Sequence, residues 1–367
     1  MGLPEIKISF KEITKRLQTR AGRGIVAVVL KDTKNLGITE IKNEKDIPTE
    51  LTQANKKLVS SVFLGNTQDR NEGGVLTEVT YKPSKVVLAV INSSGETIDN
   101  AFNLLENKEF NILCYPDAIE SDNTKIISFI EKMRENGVDV MAVISSATPP
   151  DKEYIINWQT DNVEVDGEKV LKAKYCARIS GLIAGTPYAQ SVTYAILNDV
   201  TTIPDITNVN ANAAVNEGKL IAINTAGAVR IARGVTSLTT TDNQVKGKSF
   251  KKIKIVQTYD FINNSVRKVI VENYIGKVPN SYSNKCLLMN EIKLFLDELV
   301  KEGLIKENPV VEINMDKQKE YLKSIGVKVD DMKESEIREA DTDSYVFITM
   351  RVKGIDAMED FDIAVEV

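Results

Sequence analysis

The sequence predicts an α/β fold with a parallel sheet, joined to a second, α+β unit, with strand-like arms at both ends. Three observations predict it. Between residues 86 and 144, apolar runs of strand length alternate with segments of helical period. From Ser249 onward the texture changes to longer, more charged segments. Residues 6–10 and 361–367 alternate apolar with polar side chains, which is the period of a half-buried strand.

Taken in order, Ile6-Lys7-Ile8-Ser9-Phe10 puts Ile6, Ile8 and Phe10 on one strand face. Val86–Ile91 is a continuous apolar strand, followed by a helix with Ile98, Ala101, Phe102 and Leu105 on one side. Phe110–Tyr115 is a second strand, stopped by Pro116. The next helix carries Ile126, Ile127, Ile130 and Met133 and ends at Asn136-Gly137. Val138–Ile144 is the third strand, and Pro149-Pro150 closes the unit. Strands apolar on both faces, alternating with helices, mean a parallel right-handed βαβαβ unit. Val163–Val170 reads as a hairpin turning at Asp166-Gly167. A helix over Lys172–Ala184 follows, with Gly185 at its C-terminal cap and Pro187 just beyond. Residues 219–231 read as two strands around Ala226-Gly227, and Lys251–Thr258 and Arg267–Glu272 as charged strands. Leu288, Ile292, Phe295 and Leu299 define an amphipathic helix near 285–302, and Gly326 closes a shorter one begun at Met315. Tyr345–Val352 is a strand, Gly354–Asp360 a polar spacer, and Phe361–Val367 a last strand exposing Phe361, Ile363 and Val365 on one face. An alternating strand at the end of the sequence either tucks onto its own sheet or adds to another chain's. The expected divisions are an N-terminal arm (1–22), a β-rich segment (23–85), the α/β domain (86–245), the α+β domain (246–353) and a C-terminal arm (354–367).

Composition narrows the function. The chain has 367 residues, enough for two or three domains, and contains no histidine. That removes Ser-His-Asp and Cys-His catalysis, most zinc sites and the commonest general base at neutral pH. The net charge of −5 argues against bulk attraction to nucleic acid or anionic lipid. No apolar run near the start is long enough to span a membrane, and none reads as a signal peptide. Cys114, Cys176 and Cys286 lie far apart and read as reduced thiols of a protein folded in cytoplasm.

Several motifs invite sharper readings. Lys246-Gly247-Lys248-Ser249 contains part of a phosphate loop, but the required first glycine is Asp242, and a strand is expected afterwards in place of a helix. Gly22-Arg23-Gly24 precedes a strand and so is a turn or joint, not a dinucleotide fingerprint. At the strand ends, residues 92–96, 116–122 and 145–151 gather Asn92, Ser93, Ser94, Asp117, Ser145, Ser146 and Thr148. Such loops would line the ligand crevice of an enzyme or binding protein; the same residue types build turns and caps, and that reading is preferred. Gly181 and Gly185 lie one helical turn apart and let a neighbouring backbone come close; Lys172, Lys174 and Arg178 rule out a membrane seam. No nucleotide, metal or other cofactor is expected.

Three stretches carry a family resemblance: ISGLIAGTPYAQSVTYAIL (179–197), GNTQDRNEGGVLTEVTYKPSKVVLAVIN (65–92) and GKLIAINTAGAVRIARGVTSLTT (218–240). With the terminal order of strand, linker and strand, they resemble the contractile tail sheath proteins of phages and phage-tail-like bacteriocins. The resemblance implies a structural subunit and not an enzyme. Hexameric discs stack into a helical sheath around an inner tube, held by arms that add strands to neighbouring subunits, and the sheath contracts to drive the tube through a cell envelope. It further implies self-association, contacts with tube, baseplate and tail-terminator proteins, and assembly in a bacterial cytoplasm before release in a tail particle. The α/β domain would lie outside and the C-terminal half would face the tube. There Lys293, Asp297 and Lys301, at i, i+4 spacing, are either tube contacts or a solvated face with weak pairs of its own. Charge is consistent with head-to-tail pairing: residues 1–34 hold eight basic against three acidic groups, and residues 330–367 twelve acidic against four basic.

Overall fold

The computed structural model describes residues 24–72, 75–242 and 246–365. These form two compact units, one of residues 24–261 with 356–365, the other of residues 262–355.

The larger unit is built on a sheet. Its strands are β1 (Ile25–Asp32), β2 (Gly37–Ile41), β5 (Lys85–Asn92), β6 (Ile112–Cys114), β7 (Met141–Ile144), β8 (Ile155–Trp158) and β11 (Lys219–Leu220). They lie in the order β11-β8-β7-β6-β1-β5-β2, all parallel except β2, which pairs antiparallel with β5. Val26 to Leu30 and Val86 to Leu88 are wholly buried, and successive strand residues point to opposite faces, so the sheet is covered on both sides. The β5–helix–β6–helix–β7 run is present as read, with α2 (Ile98–Leu105) and α3 (Glu120–Glu135) as the connecting helices. Phe102 and Phe129 stack between those helices at 4.3 Å.

One division is corrected. β1 lies between β5 and β6, pairing in parallel with both, so residues 25–41 belong to the α/β sheet and not to a separate segment ending at 85. The apolar run IVAVVL satisfies the central slot of a doubly covered sheet, and sequence neighbours are not always sheet neighbours.

The remaining elements of this unit are short. Helix α1 (Gln53–Phe63) precedes the hairpin β3–β4 (Asn66–Glu72, Val75–Tyr81). Hairpin β9–β10 (Val163–Val165, Glu168–Val170) turns at Asp166 and Gly167, with φ of +50° and +79°, as the Asp-Gly pair predicts. Helix α4 (Lys172–Gly185) packs against α1 and against β1, β6, β7 and β8, and is buried from Tyr175 onward. After α5 (Asn208–Asn216), hairpin β12–β13 (Ala222–Thr225, Ala228–Ile231) turns at Ala226-Gly227.

Asp32 ties the end of β1 to the start of α1. Its carboxylate accepts from the Thr52 amide (2.9 Å), Asn55 Nδ2 (2.8 Å) and the Thr33 amide (2.7 Å). Burial alone would raise its pKa, but these donors outweigh it and hold the group at about 2. A depressed carboxylate stabilises the fold above its ordinary pKa, and that contribution disappears as pH falls through the folded value. Asp32→Ala is therefore expected to cost about 2 kcal/mol at neutral pH, a difference from wild type that vanishes between about pH 4 and pH 2 in denaturant titrations.

The stretch expected as charged strands is helical. Ile253–Val269 forms α6, continued by one π-helical turn over Ile270–Tyr274. Ile255, Ile262, Val266 and Val269 are buried at spacings of seven, four and three, a helical stripe. The Lys-Ile alternation at 251–255 satisfies a period of 2 only over the first turn, where both Ile253 and Ile255 are buried. The two units divide inside this helix, at Phe261/Ile262, where the sequence suggests 245/246. The smaller unit continues with α7 (Tyr282–Lys301), strand β14 (Val310–Ile313), α8 (Met315–Ser324), α9 (Glu334–Glu339) and strand β15 (Ile348–Arg351). α7 buries Leu288, Ile292, Phe295 and Leu299, as the pattern predicts. β14 and β15 pair antiparallel into a sheet of two strands, so each keeps one edge unpaired among the described residues.

Candidate functional site at the C-terminal linker

The α4 glycines sit where backbone meets backbone. A methyl group built on Gly181 would stand 2.0 Å from the Val62 carbonyl oxygen, and one on Gly185 2.3 Å from that of Tyr81. Gly185 is the last residue of α4 and has no left-handed backbone; Thr186 caps the helix instead. Glycine there answers the close approach of Tyr81, not the cap geometry read from sequence. Arg178 fixes the same seat, donating to the Gly65 carbonyl (2.7 Å) and to Asp199 (2.8 Å), which also accepts from the Tyr175 hydroxyl (2.9 Å).

Several side chains of the strand-end loops bond to neighbouring loops and helices, while Asp117 is exposed. Ser146 Oγ donates to Glu120 (2.5 Å), and Asn157 Oδ1 accepts from the Ser146 amide (2.9 Å). Asn92 Oδ1 accepts from the Ser94 amide (2.9 Å), and Asp151 Oδ1 from the amides of Thr239 (2.5 Å) and Thr240 (2.9 Å). Among the described residues no group of three or more Cys, Asp or Glu is placed to hold a metal. Asp242 and Lys246 exchange backbone hydrogen bonds of 2.9 Å. A helix and not a strand follows Ser249, which removes one ground for rejecting a phosphate loop; the missing glycine at 242 remains. Burial pushes the Cys114 thiol up to about 12 and raises Cys176 as well, so both are inert. No described helix is long and apolar enough to cross a membrane.

The linker is different in kind. Phe361, Ile363 and Val365 are 71%, 76% and 79% exposed, and residues 361–365 make no strand pairing among the described residues. Directly before them Glu359 is held, its side chain 3% exposed. Its Oε1 lies 3.0 Å from Ser191 Oγ and 2.6 Å from Thr193 Oγ1. Oε2 pairs with Lys252 Nζ and with Arg233 Nε at 3.5 Å. Lys252 also meets Asp356 at 3.3 Å, and Arg233 meets Asp360. Thr193 Oγ1 in turn accepts from the Gly234 amide at 2.8 Å. Burial would raise the Glu359 pKa, but Lys252, Thr193 and Ser191 outweigh it and hold the carboxyl below its ordinary value. Ser191 and Thr193 come from the loop after α4, Arg233 from the end of β13, and Lys252 from the start of α6. No sequence spacing links these positions, so the sequence reading missed them; the one signal was an acidic pair, Glu359-Asp360, inside a polar spacer.

Of the other residues singled out, Lys293 pairs with Asp297 along α7 at 2.7 Å, both partly exposed, and Lys301 is exposed at the helix end. Ile6, Ile8 and Phe10 lie outside the described residues.

This geometry defines a class before it defines a family. It is a scaffold whose strand-end polar groups bond within the chain and whose last described residues expose Phe361, Ile363 and Val365. Residues 92–237 match the phage tail sheath protein central domain, and residues 245–367 the phage tail sheath C-terminal domain. The tail sheath protein of Clostridium phage phiCD119 is 42% identical over 365 residues, covering 100% of this chain and 99% of that protein. Among solved structures, the sheath tail protein Lin1278 from Listeria innocua superposes with a TM-score of 0.66 at 18% identity, over 84% of this chain and 93% of its own. The contracted helical sheath of the anti-feeding prophage gives 0.67 at 12% identity, over 100% and 99%. The chain belongs to the phage tail sheath family, and is a structural subunit of a contractile tail.

Proposed function

We propose that this chain polymerises as stacked hexameric discs in a helical sheath around an inner tube, and that contraction of the sheath drives the tube through a target envelope. The observation that carries this reading is the exposed alternating set Phe361, Ile363 and Val365, unpaired among the described residues, in a chain that also has an open-edged two-stranded sheet, β14–β15. A strand of one copy added to an edge of the next supplies main-chain hydrogen bonds that tolerate rotation of the units they join. Head-to-tail contacts of this kind, repeated without closure, generate a helix. Matches to a contracted sheath and to a baseplate assembly support self-association and a baseplate partner. The N-terminal face of Ile6, Ile8 and Phe10 is proposed as a second donated strand. Lys293, Asp297 and Lys301 are proposed to face the tube, with the Lys293–Asp297 pair opening to make salt-sensitive contacts. A tail-terminator partner, and assembly in the host cytoplasm before release in the tail, complete the proposal. Contraction needs no nucleotide, because an extended assembly can hold its energy as a kinetically trapped state. Negative-stain microscopy of the purified full chain is expected to show tubes or stacked rings; a uniform population of compact monomers or dimers would refute the reading.

A further inference from the structure

Three segments of the larger unit converge on the Glu359 carboxylate. The donors come from residues 191–193, 233 and 252, and the acceptor is two residues ahead of the exposed Phe361. The neighbouring residues are exposed: Met358 is 87% accessible and Asp360 reaches back to Arg233. A single side chain in an otherwise exposed linker is therefore sunk into the larger unit. The charged groups around it are Lys252, Arg233, Asp356 and Asp360, with Lys254 also within electrostatic range. Upstream, the next fixed point is Ile355, whose amide donates to the Leu304 carbonyl at 2.9 Å.

We propose that this clasp is the anchor of the C-terminal arm: it sets the point from which residues 361–367 leave the subunit, and so limits which edge of a second copy they reach. The inference rests on the arm reading above. Seven extended residues span at most about 25 Å, so the acceptor edge on the neighbouring copy lies within about 25 Å of the clasp. With the clasp open, the free segment lengthens to the twelve residues after Ile355 and spans up to about 43 Å, reaching wrong as well as right edges. Its effective concentration at the correct edge then falls about twofold from length alone.

The test reads the clasp and the assembly separately. A glutamate-specific protease must take the Glu359 side chain into its own pocket, so a clasped Glu359 resists cleavage. In the full chain, cleavage after Glu359, followed by mass spectrometry of residues 360–367, is expected to be at least tenfold slower than in Lys252→Met. Ser191→Ala should give an intermediate rate, and Lys252→Arg should restore protection. Trp158, the single tryptophan and wholly buried, reports by its emission that each variant is folded. In microscopy, Lys252→Met should need at least twofold more protein than wild type to form tubes, and should give irregular ones. Equal cleavage in wild type and Lys252→Met overturns the clasp. Faster cleavage in Lys252→Met with wild-type assembly overturns its positioning role. A wild-type chain that is protected at Glu359 yet forms no tubes counts against the sheath reading and leaves the clasp in place.

Discussion

A chain lacking residues 361–367 is expected to stay folded and soluble and to build no tubes. The two halves of that expectation have separate physical grounds. Residues 361–365 contribute no strand pairing among the described residues, and their apolar side chains are largely in water, so their removal leaves the core of the larger unit intact. Burying Phe361, Ile363 and Val365 against a second copy would contribute about 5–9 kcal/mol before the strand's ordering cost is subtracted. The acidic groups of this end cannot substitute for that contact, since each exposed ion pair is worth only about 0–1 kcal/mol. Thermal melting followed through Trp158 should superpose on wild type, while sedimentation and microscopy show only small species. Sheaths of normal length from the truncated chain would show that donation of this strand does not hold the polymer together. Melting that shifts by many degrees would show instead that the strand belongs to its own subunit's core.

The parts of the molecule legible in the sequence are those where one local period covers a whole element. The strands at 85–92 and 112–114, the helices at 98–105 and 120–135, and the Asp-Gly and Ala-Gly hairpins all have that character. Pairing partners far apart in sequence leave no such mark. β1 entered the sheet between β5 and β6 because its apolar run suits a central slot, and nothing local says which slot. The start of α6 mimics an alternating strand because its first turn is buried on two sides; the stripe through Ile262, Val266 and Val269 appears only over a longer window. Gly181 and Gly185 were legible as a place of close approach, but not the identity of what approaches. The Glu359 clasp was illegible for the same reason: its four partners are spread from Ser191 to Lys252, and each alone is an ordinary surface residue.

The glycine pair supports the most severe expected loss. α4 is buried from Tyr175 onward, packed against the sheet and α1, and Gly181 faces the last turn of α1 at Val62. An added methyl would lie 2.0 Å from the Val62 carbonyl oxygen and 2.7 Å from its carbonyl carbon and Cα. These are backbone atoms of a packed helix, so no rotamer change relieves the clash; α1 or α4 must move. Moving α4 also disturbs Arg178, whose bonds to Gly65 and Asp199 hold the seat between α4 and the hairpin. Overpacking of this kind costs about 1–3 kcal/mol, and Gly181→Ala should fall at the upper end. For a unit of this size that corresponds to a drop of about 4–12 °C in melting temperature. Gly181→Leu, with three further carbons aimed at the same backbone, should yield no soluble folded protein, which is a more severe result than loss of assembly. Gly247→Ala is the control: a methyl there meets nothing within 4 Å, and its φ of −76° suits any residue, so melting should be unchanged or slightly raised. If Gly181→Ala melts with Gly247→Ala and wild type, the close approach of α4 to Val62 does not exist in solution, and the packing of α4 on α1 must be redrawn.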